Sequence, residues 1–476
     1  MLSRCSTTTV VLCFFFCVCP LAVRAQAVQV DTVIRNVTLV DVTDGTLVPD
    51  AAVAIAGDRV AFAGPAEGLE ATADANTIDG RSAYLIPGLW DAHVHSVTAR
   101  PWHFPLLVAH GVTSVRNMHT TEENPLAKVL AVKEEIASGT IVGPRFLANG
   151  AVISGPDAYW PQSITVATAD EARAAVDAMA DGGADFLKLY DNVPAVAFHA
   201  LAERARERGI PFDGHAVAAV GPVASARAGQ RTFEHAAGMH LGCAPRNDAV
   251  EASEEKMLAN APFPQSQFDF FDHTTLLAEL RDEALCRETV QAYLEAGSAS
   301  CPTLINVRSM VAAAAMVADA TSMALLPESV RGQWTAMAQD ELTAEFSSAA
   351  QPLWETAQAN VRLMHEMGVP LIAGTDIGNP FLVPGHSLHA ELELLVSVGL
   401  SPLEALQTAT INPARIFGIE KVGRVEAGYE ADLVLLARNP LDEVSNTRSI
   451  MGVVLDGEFY DTEALGAMRQ QARAFE

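Results

Sequence analysis

The sequence predicts an α/β fold, a (β/α)8 TIM-type barrel joined to a small β-sandwich domain that both termini build. Three observations carry this reading. Strand-like runs alternate with helical stripes through the middle of the chain, about eight such strands can be counted, and strand-rich segments flank them on both sides. An open doubly wound sheet is the alternative, but no Gly-x-Gly-x-x-Gly follows the first strand of the middle segment.

Residues 1–25 hold Arg4, an apolar stretch of 14 residues from Val10 to Val23, and small residues at cleavage-site spacing in Ala22-Val23-Arg24-Ala25. This pattern reads as a secretory signal peptide. An uncleaved anchor is the alternative, although the stretch is shorter than the roughly 17–25 residues that span a bilayer as a helix. No other stretch is long and apolar enough to span, so the expectation is a secreted or periplasmic protein without a membrane partner once the leader is removed.

Residues 28–84 carry β-rich runs broken by turn signals: Val33 to Val40, Ala52 to Ala56 before Gly57-Asp58, and Val60 to Ala63 before Gly64-Pro65. Similar runs return at Asp432 to Leu436 and at Met451 to Leu455. The β domain is therefore assigned to 28–84 plus 418–476, and the barrel to 85–417.

Within the barrel, Thr168-Ala169-Asp170-Glu171 is a capping box that opens a helix with an apolar stripe at Ala172, Ala175, Val176 and Met179. A second helix is expected over 195–208, ending at Gly209, and a shorter one over 220–228, ending at Gly229. The strands are expected at 85–95, 113–118, 145–153, 185–190, 210–215, 231–235, 299–305 and 370–376. Two inserts, about 240–298 and 306–366, are rich in Ala, Met and acids and are expected to be helices that cover the barrel mouth.

Composition excludes some functions. Acids outnumber bases 58 to 31, for a formal charge of -27, and no basic run could track a phosphate backbone. Nucleic acid is not an expected partner; a small molecule is. A homo-oligomer is compatible with the sequence and not dictated by it. Four of the seven cysteines lie in the leader, leaving Cys243, Cys286 and Cys301, so at most one bridge can form and no Cys-x-x-Cys zinc site is present.

Chemistry in such barrels sits at the C-terminal ends of the strands. Strand one ends in His93-Val94-His95, whose imidazoles share a face at i and i+2. Strand four carries Lys188, strand five ends at His215, strand six at His235 and strand eight at Asp376. These six groups suit one metal centre. Lys188, one of five lysines, lies between Leu187 and Leu189, so its ammonium points into the barrel or into the apolar layer outside. Desolvation lowers a lysine pKa, and a neutral amine can take up carbon dioxide to form a carbamate, an oxygen ligand able to bridge two ions. A lysine that snorkels out of the sheet or pairs with a buried acid is the plainer alternative.

Weaker candidates surround this set. Tyr190 shares a strand face with Lys188 and could touch substrate, or could be a rim tyrosine. His119 follows strand two and is a second candidate contact; His386 and His389 read more readily as packing histidines. Arg116 inside strand two reads as half of a buried ion pair. Asn36-Val37-Thr38 matches a glycosylation acceptor but falls in an expected strand and is discounted.

In order along the chain, Pro87-Gly88-Leu89-Trp90-Asp91-Ala92-His93-Val94-His95, Gly111-Val112-Thr113-Ser114-Val115-Arg116, the Lys188 strand, Glu234-His235, Gly374-Thr375-Asp376, Ser401-Pro402-Leu403-Glu404-Ala405-Leu406 through Asn412-Pro413-Ala414, and Gly423-Arg424-Val425-Glu426-Ala427-Gly428 resemble the amidohydrolase superfamily. The resemblance is to its imidazolonepropionase-like and metal-dependent dipeptidase (prolidase-like) branch, and it covers the whole mature chain. It implies that His93, His95 and Asp376 hold a more buried ion, that His215 and His235 hold a more exposed one, and that N6-carboxylated Lys188 bridges them. Two divalent ions are implied, with zinc suited to the mixed N/O ligands and Mn, Co or Fe as alternatives. Asp376 would be the catalytic acid/base.

The expected function is that of a binuclear metal-dependent hydrolase cleaving the amide C–N bond of a small substrate such as a dipeptide or N-acyl amino acid. The alternatives are a mononuclear cyclic-amide hydrolase or deaminase of imidazolonepropionase type, a lactone or phosphotriester hydrolase, and a barrel that has lost catalysis and only binds.

Overall fold

The computed structural model describes residues 30–69, 74–120, 125–156, 158, 162–236, 238–259 and 263–476. The leader expected at 1–25 lies outside the described residues. Strands from both ends of the chain join in one seven-stranded sheet: Thr32–Val40, Leu47–Ala56, Arg59–Pro65 and Asn76–Pro87 from the N-terminal side, Leu433–Leu436, Ile450–Leu455 and Glu458–Asp461 from the C-terminal side. The junction is the antiparallel pairing of Leu433–Leu436 with Tyr84–Pro87. Alternation along the strands buries Ile34, Val53, Ile55, Leu85, Leu433 and Val454 in one apolar cluster, and Val33, Ala52 and Ala54 in another.

The first barrel strand, expected as one run over 85–95, is divided. Asn76–Pro87 belongs to the terminal sheet and Leu89–Val94 to the barrel, with Gly88 between them. Proline cannot donate to a ladder, and a Cβ on Gly88 would lie 2.1 Å from Thr113 Oγ1, so this crossing admits glycine alone.

The barrel closes with all strands parallel. Leu89–Val94, Val112–Asn117 and Arg145–Ala148 pair in order. A bridge between Asn149 and Phe186 leads to Leu187–Leu189, then Phe212–Gly214, Thr232–Glu234 and Ala299–Cys301. The eighth position, residues 371–377, is bridged to Ser300 on one side and to Val94 on the other. The expected strand 145–153 stops at Ala148, and Ile153–Ser154 pairs separately beside Leu189. The expected strand 299–305 stops at Cys301, because Thr303 takes a left-handed conformation (φ +46°) and a helix begins at Leu304.

Between the strands, the Thr168–Glu171 capping box opens the helix Ala169–Asp181 through both reciprocal hydrogen bonds, and the helix Ala195–Arg208 ends on left-handed Gly209. Among the described residues, four helices, Gly238–Cys243, Asp248–Leu258, Gln265–Glu279 and Glu283–Ala296, occupy the first insert. The second holds six, from Leu304–Val311 to Gln351–Met367. Cys243 and Cys286 form a disulfide across the first insert, and Cys301 is free and buried. Among the described residues, no helix is long and apolar enough to cross a membrane.

Candidate metal centre

The eight strand ends bring the expected ligands together at one mouth of the barrel. His93 and His95 both reach Asp376 Oδ1, their Nε2 atoms lying 3.3 and 2.9 Å from it. His235 Nδ1 is 3.8 Å from Asp376 Oδ2, and the ring of His215 meets that of His235 edge-on at 4.9 Å. Ligand atoms of His93, His235 and Asp376 all fall within 4.8 Å of one another. Strand eight approaches strand one closely enough that a Cβ on Gly374 would lie 2.9 Å from the His93 backbone nitrogen.

Three residues here carry positive φ without being glycine: His235 (+66°), Asp376 (+66°) and Thr303 (+46°). Such conformations cost on the order of 1–3 kcal/mol each and persist where the surroundings dictate them, commonly at functional sites. At His235 and Asp376 they turn the side chains from the strand axis into the mouth.

Lys188 is buried, and its Nζ has no hydrogen-bond partner in the structure. Burial drives its ammonium pKa down, against the opposing pull of Glu234 and Asp376. A buried amine without a partner is rare, and this one lines the same cavity as the histidines and Asp376. The donor chemistry of His93, His95, His215, His235 and Asp376 thus fits divalent metal.

The supporting contacts are as specific as the ligands. Glu234 Oε2 lies 2.8 Å from His93 Nδ1, which leaves Nε2 turned to the centre. Burial alone would raise the Glu234 pKa, but the Arg116 guanidinium holds it below the usual range. Arg116 donates to both Glu234 oxygens (2.8 and 2.9 Å), to Asp213 Oδ2 (2.9 Å), to Thr232 Oγ1 (2.8 Å) and to the Ala92 carbonyl (2.7 Å). It is the buried ion pair expected from sequence. Burial would also raise Asp376, yet His93, His235 and His95 hold its carboxyl below the ordinary carboxylate range. Asn306 Nδ2 donates to Asp376 Oδ2 at 2.8 Å, and Thr303 Oγ1 lies 2.9 Å from His235 Nδ1. Asp91, beneath the site, is pushed up to about 7 by burial and accepts from the Thr375 hydroxyl and backbone.

Sequence reading did not assign roles to Glu234, Asn306, Thr303 or Asp191, whose carboxylate is 3.7 Å from His215 Nδ1. Only Glu234 carried a local signal, its place beside His235 at a strand end. Of the weaker candidates, Tyr190 lines the cavity with its ring 4.2 Å from that of His215 and tilted to it by 31°, and His119 lines it with its ring 5.8 Å from His95. His389 is buried against Thr447 and the His110 carbonyl, and His386 packs near His110.

The Amidohydrolase family matches residues 84–459, well over half of the chain. The chain belongs to that family. Among solved structures, a bottromycin amidohydrolase superposes with a TM-score of 0.69 at 25% identity, covering 92% of this chain and 89% of its own. A putative prolidase from Bifidobacterium longum gives 0.64 at 23% identity, covering 93% and 98%, and supports the fold alone. Imidazolonepropionase of Shouchella clausii is 43% identical over 82 residues, 17% of this chain and 18% of that protein. The chain matches less than a quarter of the length of the curated relatives. His, Asp and Glu side chains at its barrel mouth form a site suited to divalent metal.

Proposed function

We propose that this amidohydrolase is a binuclear enzyme that cleaves the amide C–N bond of a small substrate, a dipeptide or an N-acyl amino acid, outside the cytoplasm. The observation that carries the reading is the buried, unpartnered Lys188 Nζ in one cavity lining with His93, His95, His215, His235 and Asp376. Two bound divalent ions, zinc by ligand preference, would supply an activated water and polarise the scissile carbonyl.

The protein's own groups do the rest. Asp376 takes the proton of the attacking water and delivers it to the leaving nitrogen. Asn306 fixes Asp376 through Oδ2, and Glu234 fixes the tautomer of His93. Tyr190 and His119 contact substrate from the rim. The export expected from residues 1–25 supports small nutrient peptides or acylated amino acids.

A second reading, a mononuclear cyclic-amide hydrolase or deaminase, is favoured by the imidazolonepropionase match. Metal content by mass spectrometry separates the two. Two ions per chain, with loss of one or both in Lys188→Ala, is the expected result; one ion and full activity in Lys188→Ala overturns the binuclear reading. Turnover of a dipeptide and N-acyl amino acid library, with lactones and a phosphotriester as controls, tests the substrate class.

A further inference from the structure

The metal-type side chains line a cavity of about 1060 Å3, and a further imidazole lines it with them. His103 lies on the helix Arg100–Ala109, which follows strand one, and is 2% exposed. Its ring is fixed on two sides. Ser96 Oγ lies 3.2 Å from Nδ1, and the Trp102 ring meets the imidazole edge-on at 4.1 Å. Nε2 has no hydrogen-bond partner among the described residues, yet it is not one of the sealed polar atoms, so it opens on the cavity that the ring lines. A nitrogen that is fixed, unpartnered and accessible at a cavity wall is where a ligand group finds a hydrogen bond.

The surroundings place that nitrogen relative to the ligands. Ser96 directly follows His95, so the Ser96 contact sets His103 beside this candidate ligand, and His95 is the titratable neighbour that acts on it. The ligand rings follow one another as His95, His93, His235 and His215, with successive centroids 5.5, 4.7 and 4.9 Å apart. Tyr190 adjoins His215, at the other end of this series. The Ser96 backbone nitrogen donates to Asn117 Oδ1 (3.2 Å), and Asn117 Nδ2 donates to the His119 carbonyl (2.7 Å). One buried amide therefore holds the segments after strands one and two in register, which fixes the wall before a ligand arrives. Burial lowers the His103 pKa to about 3, so near neutral pH the ring is an uncharged donor or acceptor and no counter-ion.

We infer that His103 is a further substrate-contact residue, whose Nε2 hydrogen-bonds a carbonyl or amide group of the substrate beyond the scissile bond, on the His95 side of the centre and away from Tyr190. The inference rests on the amide-hydrolase reading above and gives that reading a residue that sets substrate affinity.

Leucyl-leucine and N-acetyl-leucine are the probes, used on zinc-loaded protein. His103→Phe keeps a flat ring and removes both nitrogens, so KM should rise about 3- to 10-fold, the worth of one hydrogen bond, while kcat stays within about twofold. His103→Gln sets an amide nitrogen near the Nε2 position and should return KM to within about twofold of the wild type. Metal content by mass spectrometry should be the same in all three proteins. If circular dichroism shows the Phe variant unfolded, His103→Met takes its place.

An unchanged KM in the apolar variant overturns the inference and leaves the hydrolase standing, even where kcat and metal content fall. A KM raised equally in the apolar and Gln variants also overturns it, since the ring would then only fill space. If neither compound is hydrolysed, calorimetric titration with the same two compounds reads the contact alone. Affinity weakened in the apolar variant and recovered in Gln then supports the contact and sinks the reaction. Equal affinity in all three proteins, or no binding in any, sinks both.

Discussion

His93 Nδ1 lies 2.8 Å from Glu234 Oε2, and neither side chain sees solvent. A carboxylate in that position decides which nitrogen of the imidazole carries the proton, and therefore which faces the centre. It also ties the candidate metal ligand to Arg116, which holds the same carboxylate by both oxygens.

Glu234→Gln should weaken metal binding about 10- to 100-fold while the fold survives, since the amide keeps the shape and loses the charge. Competition against a chelator measures the affinity, and circular dichroism the fold. Unchanged affinity would show that His93 is oriented by other contacts.

Arg116→Ala leaves Asp213 and Glu234 buried without their shared cation. Removing one partner of a buried ion network costs about 3–5 kcal/mol, so urea unfolding should move by that amount. Arg231 also contacts Asp213, and a shift well below this range would mean that it takes over the pairing.

Asp376→Asn should reduce turnover by about 10²- to 10⁴-fold, the range for a lost acid/base group, with a further loss from weaker metal binding. Restoring full metal occupancy by excess ion separates the two contributions. Full activity at full occupancy would remove Asp376 from the proton-transfer role.

Glu391 is buried and accepts hydrogen bonds from the Leu304 and Ile305 backbone at 3.0 and 2.6 Å, anchoring the segment that carries Thr303 and Asn306. Burial raises its carboxyl pKa from 4.5 to about 8. The folded protein then keeps a proton that the unfolded chain releases, so this group's contribution is complete below pH 4.5 and is lost as pH rises through 8. The stability difference between wild type and Glu391→Gln should shrink between pH 5 and pH 9 by on the order of a few kcal/mol. Urea titrations at the two pH values check it, and a constant difference would exclude the linkage.

The Cys243–Cys286 bridge joins residues 43 apart in sequence. Loop closure of that length stabilises by about 3–4 kcal/mol on the chain-entropy model, so Cys286→Ser should lower the unfolding midpoint in oxidising buffer and abolish the effect of reductant.

Much of the centre was legible because the barrel imposes a rule. Strand ends face one mouth, so His93, His95, Lys188, His215, His235 and Asp376 could be marked by their distance from a strand terminus. Periodicity gave the eight strands and the helix from Ala195 to Arg208, whose stop at Gly209 is a local backbone event. Where packing decides, local signals failed. Pro87-Gly88 is a local break signal, but what makes glycine obligatory there is Thr113 on the neighbouring strand, which no local pattern shows. The strand over 299–305 ends early for a comparable reason, because Thr303 is turned into the left-handed region where it meets His235.

By itself the sequence determined the barrel, the terminal strands and the identity of the side chains at each strand end, because these follow from short-range periodicity and one topological rule. Only the tertiary structure decided which of those side chains meet, and through what. His93 and Asp376 are 3.3 Å apart across the closing seam of the barrel, and Glu234, Asn306 and Thr303 reach the ligands from elements distant in sequence.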